Sequence, residues 1–185
     1  HMPFLCRAKD LRKGVEKMKS FIDFVQQSPT AWHACETTKC MLQKAHFQEL
    51  DERKKWDLVP GKSYFVQRGA SLAAFILPEQ KIGNSVFFTS HTDSPSLRLR
   101  PLAGFSKDGH NFLKFELYGA PILPSWLGRG VMLAGKVIVQ TDTGHLESKL
   151  VHLKNHPFVF PYVAYHLDRQ VNDSFSVNKQ LHLTA

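Results

Sequence analysis

The chain has 185 residues, 43% of them hydrophobic, and a formal net charge of +8. This is an ordinary globular composition, large enough for one or two cores, and no apolar stretch approaches membrane-spanning length. The amino terminus lacks a signal-peptide core, so we expect a cytoplasmic protein with no membrane partner.

Basic residues crowd the first twenty positions, namely Arg7, Lys9, Arg12, Lys13, Lys17 and Lys19. Aromatic residues do not alternate with them on a strand, so a solvated basic helix face is favoured over a nucleic-acid patch. We therefore expect no nucleic-acid partner, although a positive field also attracts acidic peptides. The three cysteines, Cys6, Cys35 and Cys40, lack a paired metal-type spacing and are predicted to be reduced thiols.

Two helices are predicted at the start of the chain. Apolar residues recur at helical spacing over 10–27 and predict an amphipathic helix that packs on another element. The second helix is predicted to run to about Ala45, with Ser28 as its N-cap and Pro29 at its first position. Its predicted buried face contains Ala31, Ala34, Cys35, Thr38, Met41, Leu42 and Ala45. His33 lies beside this face, so an exposed or edge histidine is favoured over a ligand.

Short extended segments follow the helices. Strands are predicted at 47–50 and 56–59, and a hairpin is predicted from 63–68 and 72–77 around Gly69-Ala70.

The candidate site lies in Ser85-Val-Phe-Phe-Thr-Ser-His-Thr-Asp-Ser-Pro95. Its apolar run at 86–88 predicts a strand buried on both faces of a parallel sheet, and ligands bind at the carboxyl ends of such strands. His91 and Asp93 follow the run, and their two-residue spacing points both side chains the same way. A carboxylate there can hold one imidazole nitrogen while the other binds a metal. The spacing alone is weak, since His166-Leu-Asp168 repeats it, and a buried structural histidine is the alternative.

Beyond position 100 no helical period recurs. Strands are predicted at 112–118, 130–140, 150–153 and 158–166, separated by turns that include Asp108-Gly109. The sequence thus predicts two parts, an α/β part at 3–100 and a mainly antiparallel β domain at 101–185.

Five segments add a resemblance to these patterns. They are Ser28-Pro-Thr-Ala-Trp-His-Ala34, Trp56-Asp-Leu-Val-Pro-Gly-Lys-Ser-Tyr-Phe65, Phe88-Thr-Ser-His-Thr-Asp-Ser-Pro-Ser-Leu-Arg-Leu-Arg-Pro101, Leu133-Ala-Gly-Lys-Val-Ile-Val139 and Ala164-Tyr-His-Leu-Asp-Arg169. In this order they resemble segments of the aspartyl aminopeptidase family of zinc metallopeptidases, and the similarity extends from about Met18 onward. Arg68 resembles the family's arginine before a turn, although Gly69 stands where the family usually has asparagine.

The resemblance implies a partial α/β metallopeptidase catalytic domain followed by a mainly antiparallel β dimerisation domain. It implies two Zn²⁺ ions in a complete active site, with His91 as a zinc ligand and Asp93 orienting it. The implied substrates are peptides with an amino-terminal Asp or Glu. The implied assembly is a homo-oligomer, in which His166 reaches the active site of the neighbouring subunit; a structural histidine is the alternative.

No segment resembles the family's remaining metal ligands or its general base. Catalytic zinc ordinarily needs three protein ligands, so we expect the amino-terminal part of such an enzyme, inactive by itself and weak in zinc binding. The alternative is a truncated, non-catalytic interaction or scaffold module that acts through its β domain.

Overall fold

We describe the protein from a computed structural model. It describes residues 8–80, 83–162, 164, 166–167, 169–173, 175–179 and 182–184, with side chains from Glu16 onward. Two compact units are present. The first contains the described residues up to Asp93 together with Gly135–Leu150, and the second contains Ser94–Ala134 and the described residues from Val151. Cys6, Arg7 and Asp168 lie outside the described part, as do the side chains of Lys9, Arg12 and Lys13.

Two α-helices, nine strands and one 3₁₀ helix make up the regular structure of the described residues. In chain order they are α1 (Ala8–Gln27), α2 (Ala31–Lys44), β1 (Gln48–Glu49), β2 (Ser63–Arg68), β3 (Ser71–Ile76), β4 (Ser96–Lys107), β5 (His110–Tyr118), the 3₁₀ helix (Leu123–Trp126), β6 (Gly130–Val131), β7 (Ala134–Gln140), β8 (Leu146–His152) and β9 (Phe158–Val159). None of the described helices combines the length and apolar character that a bilayer crossing requires.

The sheets are small and mostly antiparallel. β1, β2 and β3 form one sheet in that order, with β1 parallel and β3 antiparallel to β2. β4 pairs with β5 and β6 with β9, both antiparallel, and β7 pairs with β8. The mixture of α and β elements agrees with the predicted class, but the predicted parallel sheet is represented among the described strands by the short β1–β2 pair.

The two helices lie where the sequence predicts them, but α2 begins later than expected. Its N-cap is Thr30, which has extended backbone angles (φ −139°, ψ 166°) and accepts a hydrogen bond from the His33 amide at 3.4 Å. The predicted cap at Ser28 and helical start at Pro29 are therefore wrong. The Ser28 amide instead donates to the carbonyl of Val25 at 3.1 Å, so Ser28 still belongs to the end of α1.

The core of the first unit lies around β2. Tyr64 and Phe65 are almost completely buried, and since neighbouring strand residues face opposite sides, both faces of β2 are covered. Ala34 and Cys35 of α2 are also buried, as predicted, whereas Met41 and Ala45, predicted to be buried, are exposed. The reason is that α2 packs through its amino-terminal half.

The predicted buried strand at 86–88 is wrong in this structure. Residues 83–90 belong to no strand, and Val86, Phe87 and Phe88 are 79%, 86% and 94% exposed. The middle strand of the three-stranded sheet is β2, which has a neighbour on each side, and no described strand pairs with the 86–88 run. The predicted strand at 56–59 is likewise not formed.

The second unit is built around the β4–β5 hairpin. Its turn is the predicted Asp108-Gly109 pair, and both residues have positive φ (52° and 76°), a conformation that glycine and aspartate tolerate better than most residues. The twelve-residue β4 was not predicted, because Pro101 and a bulge between Leu99 and Gly104 interrupt its pattern. The core of the second unit contains Phe115, Leu127 and Phe160. The rings of the two phenylalanines meet edge to face, with their centroids 5.1 Å apart.

The two described cysteines are expected to differ in reactivity. Burial, and secondarily the charge of Glu36, raises the pKa of the Cys35 thiol, whereas Cys40 is exposed. Because the thiolate is the reactive form, iodoacetamide at pH 8 should label Cys40 at least about tenfold faster than Cys35. Peptide mapping by mass spectrometry measures both rates. Equal rates in the folded protein would contradict this burial, and Cys40→Ser is the control that removes the fast site.

Candidate metal centre

His91 and Asp93 lie in contact on the segment that precedes β4. Nδ1 of His91 is 3.1 Å from Oδ1 of Asp93, which agrees with the predicted direction of the two side chains. The His91 side chain is 91% exposed, and that of Asp93 is 39% exposed. The alternative of a buried structural histidine does not fit this exposure. We call these two residues the His91–Asp93 pair.

The contact decides which ring nitrogen can bind a ligand. A carboxylate beside Nδ1 favours the tautomer that carries its proton there, which leaves the lone pair on Nε2. Nε2 of His91 has no hydrogen-bond partner among the described residues, and its ring is open to solvent. The pair therefore offers one oriented nitrogen ligand.

Thr92 anchors the pair to the sheet of the first unit. Its hydroxyl donates a 2.7 Å hydrogen bond to the carbonyl of Ala70, in the turn between β2 and β3. Gly69, which precedes that carbonyl residue, has φ +60°, a conformation open to both glycine and asparagine, so the departure from the family pattern leaves the turn intact. Thr92 was not predicted to be a site residue. The alternation that places His91 and Asp93 on one side places Thr92 on the other, and this was the available signal.

The donor set fits part of a zinc site. Imidazole nitrogen is a common zinc ligand, and a supporting carboxylate behind it is the usual second contact. Among the described residues, however, no group of three or more His, Cys, Asp and Glu side chains comes together. The pair thus fits one ligand position and its support, and the other ligands must come from elsewhere.

A polar cleft of about 500 Å³ lies elsewhere in the first unit. Its two carboxylates are already engaged: Glu49 accepts a 2.7 Å hydrogen bond from Lys39, and Glu36 accepts one of 2.9 Å from the side-chain amide Nε2 of Gln67. The first of these bonds raises the pKa of Lys39. Because these carboxylates have partners and no histidine or cysteine is among the described residues that line the cleft, it is a poorer metal site than the His91–Asp93 pair.

His166, the third predicted site residue, lies in the second unit. It occupies an exposed turn in which the Leu167 amide donates to the carbonyl of Ala164 at 2.8 Å. Its role toward a neighbouring subunit stays a prediction.

Comparison with known proteins shows which family the chain belongs to. The family described as "Aminopeptidase I zinc metalloprotease (M18)" matches residues 24–185, which is most of the chain. The chain belongs to the M18 aminopeptidase family. The predicted resemblance is confirmed, and the matching family is one described as zinc metalloproteases.

M18 relatives are similar along nearly the whole chain. The chain is 38% identical to the aspartyl aminopeptidase of Dictyostelium discoideum, over 94% of its own length and 37% of the length of that protein. It is also 38% identical to a probable M18 family aminopeptidase 2 of Pseudomonas syringae pv. syringae, over 89% of its own length and 39% of that protein's. The chain thus spans little more than a third of these curated M18 relatives.

Solved M18 structures share the fold of the chain. A chain in the cryo-EM structure of the Ape4 and Nbr1 complex superimposes with a TM-score of 0.88 at 34% identity, over 96% of this chain and 35% of that one. The mApe1 structure of Chaetomium thermophilum superimposes with a TM-score of 0.77 at 28% identity, over 90% of this chain and 38% of that one.

Proposed function

We propose that this chain is the amino-terminal portion of a two-zinc aminopeptidase that removes acidic amino-terminal residues from peptides. The observation that carries the proposal is the contact between Nδ1 of His91 and Asp93, which leaves Nε2 on an exposed ring. The name of the Dictyostelium discoideum relative supports the substrate class. Cytoplasmic location, homo-oligomeric assembly and the reach of His166 to a neighbouring subunit belong to the same proposal.

The pair has two distinct tasks in this proposal. Nε2 of His91 binds one zinc, and the Asp93 carboxylate holds the ring in orientation and makes it a stronger ligand. A zinc ion held there would act as a Lewis acid toward the scissile carbonyl. Thr92 has a positioning role, because its hydrogen bond to the Ala70 carbonyl fixes the backbone between His91 and Asp93. The remaining ligands and the general base are supplied by the part of the enzyme beyond these residues.

The scaffold-module alternative is not favoured. The β strands of the second unit fall within the region that matches the M18 family, and no feature of the described residues sets them apart from a peptidase portion. The boundary between a catalytic part at 3–100 and a dimerisation domain at 101–185 remains part of the proposal. In the structure, Gly135–Leu150 belongs to the first unit.

Assay of the isolated chain tests the proposal. With Zn²⁺, Mn²⁺ or Co²⁺ added, we expect no release of amino-terminal Asp or Glu, because one histidine and its supporting carboxylate do not complete a catalytic site. The full-length Dictyostelium discoideum relative is the positive control in the same assay. Turnover that co-purifies with the 185-residue chain would show that it is more than a portion of the enzyme. A stop codon directly after Ala185 in the gene would favour the scaffold module.

A further inference from the structure

The outer face of the β4–β5 hairpin carries a group of cations. Leu97 and Leu113 pack against the core of the second unit, so by strand alternation Arg98 and Lys114 project from the opposite face. The register places Lys107 on that face as well, opposite His110. We call this surface the hairpin cation face, and its exposed cations are Arg98, Arg100, Lys107 and Lys114.

Two of these cations lie over aromatic rings. The guanidinium carbon of Arg98 is 3.5 Å from the centroid of the Tyr118 ring, and Nζ of Lys114 is 4.8 Å from that of Phe105. A cation above a ring is attracted by the ring quadrupole, but its charge is not neutralised. The two charges are therefore held in place and remain available to an anion.

Neighbouring acids leave an excess of positive charge on this face. Glu116 lies opposite Arg98 in the strand register, and Asp108 lies in the turn of the hairpin. The ion pairs that the described residues form all lie outside the face, so the Arg98 guanidinium contacts the ring of Tyr118 rather than the Glu116 carboxylate. The chain as a whole has a formal net charge of +8, which adds to the attraction of an acidic partner.

The aromatic rings favour a peptide over a nucleic acid as this partner. The rings of Phe105 and Phe112 stack on each other with centroids 5.2 Å apart, and the Arg98 guanidinium covers the ring of Tyr118. Single-stranded nucleic acids bind by stacking their bases on open rings. These rings are already engaged, so the face offers positive charge more than stacking surfaces. Carboxylates suit such charges, and arginine binds them with paired hydrogen bonds.

We propose that the hairpin cation face binds acidic segments of peptides, at positions beyond the amino-terminal residue that the enzyme removes. Arg98 lies opposite Glu116, which is two positions from Lys114. Alternate residues of an extended peptide are about 6.6 Å apart, the same interval as alternate residues of β5, so two acidic side chains of one peptide can meet these two cations. The inference deepens the proposed function and rests on it for the source of the peptide.

Fluorescence anisotropy tests the binding without a measurement of activity. The probe is a fluorescein-labelled peptide in which Glu alternates with Ser, titrated with the 185-residue chain in about 50 mM NaCl. We expect the probe to bind, and we expect the double variant Arg98→Gln/Lys114→Gln to bind about fivefold more weakly, since each exposed charge pair contributes modestly. Arg98→Lys/Lys114→Arg keeps both charges and should retain most of the affinity.

A matched control removes the same charge elsewhere. Lys54→Gln/Lys55→Gln replaces two exposed lysines of the first unit and should leave the affinity within about twofold of the unsubstituted chain. Equal weakening by the two glutamine double variants would mean that only the net charge attracts the peptide, and would overturn the proposal. Failure of the unsubstituted chain to bind the probe would also overturn it.

Two further outcomes separate this proposal from its neighbours. If a fluorescein-labelled oligothymidylate of equal charge bound more tightly than the peptide, the face would be a nucleic-acid surface and the proposal would be wrong. If the chain bound the acidic peptide through Arg98 and Lys114 but the full-length enzyme showed no peptidase activity, the hairpin cation face would stand and the proposed function would fail.

Discussion

Replacing His91 by alanine in the full-length enzyme is expected to lower kcat/KM for peptides with an amino-terminal Asp by more than about 100-fold. Loss of a supporting group beside a metal ligand lowers metal affinity or activity roughly 10–100-fold. Loss of the ligand itself is expected to lower them further. Zinc analysis of the purified variant should show a reduced zinc content. The proposed nitrogen ligand is the largest single contribution to catalysis that we infer for this chain.

Two further variants separate the ligand from its support. Asp93→Asn keeps the shape of the side chain but removes the charge beside Nδ1, so a smaller loss, within roughly 10–100-fold, is expected. His145→Ala changes another exposed histidine of the same unit and should leave zinc content and kcat/KM unchanged. If His91→Ala retained both zinc and turnover while the enzyme remained folded, His91 would not be a ligand.

Replacing Phe65 by alanine is expected to lower the free energy of unfolding of the first unit by about 3–5 kcal/mol. The side chain is fully buried in the centre of the β1–β2–β3 sheet, so its removal costs the transfer free energy of the ring and leaves a cavity. Urea titration followed by tryptophan fluorescence measures the change, because Trp32 and Trp56 both lie in the first unit.

Phe87→Ala is the matched control, since it deletes the same ring from an exposed position. In the isolated chain it should change the free energy of unfolding by less than about 0.5 kcal/mol. Equal destabilisation by the two variants would mean that the 86–88 run is buried in solution. That result would support the strand predicted from sequence over the exposed segment of the structure.

Features set by short-range patterns were predictable from the sequence. α1 and most of α2 follow from helical spacing, and the β2–β3 and β4–β5 turns follow from Gly69-Ala70 and Asp108-Gly109. The contact within the His91–Asp93 pair belongs to this group as well. Two residues separated by one position in an extended segment lie on the same side whatever surrounds them, so their contact required no knowledge of the fold.

Tertiary structure decided what depends on distant partners. The sequence predicts the 86–88 run to be buried, but burial requires neighbouring strands, and no described strand takes that place. The bond from Thr92 to Ala70 joins residues 22 positions apart, and the assignment of Gly135–Leu150 to the first unit joins segments still farther apart. Local sequence determines which residues suit a strand, a turn or a metal ligand. Which of them are covered, paired or completed depends on the rest of the folded chain, because burial is a property of the surroundings.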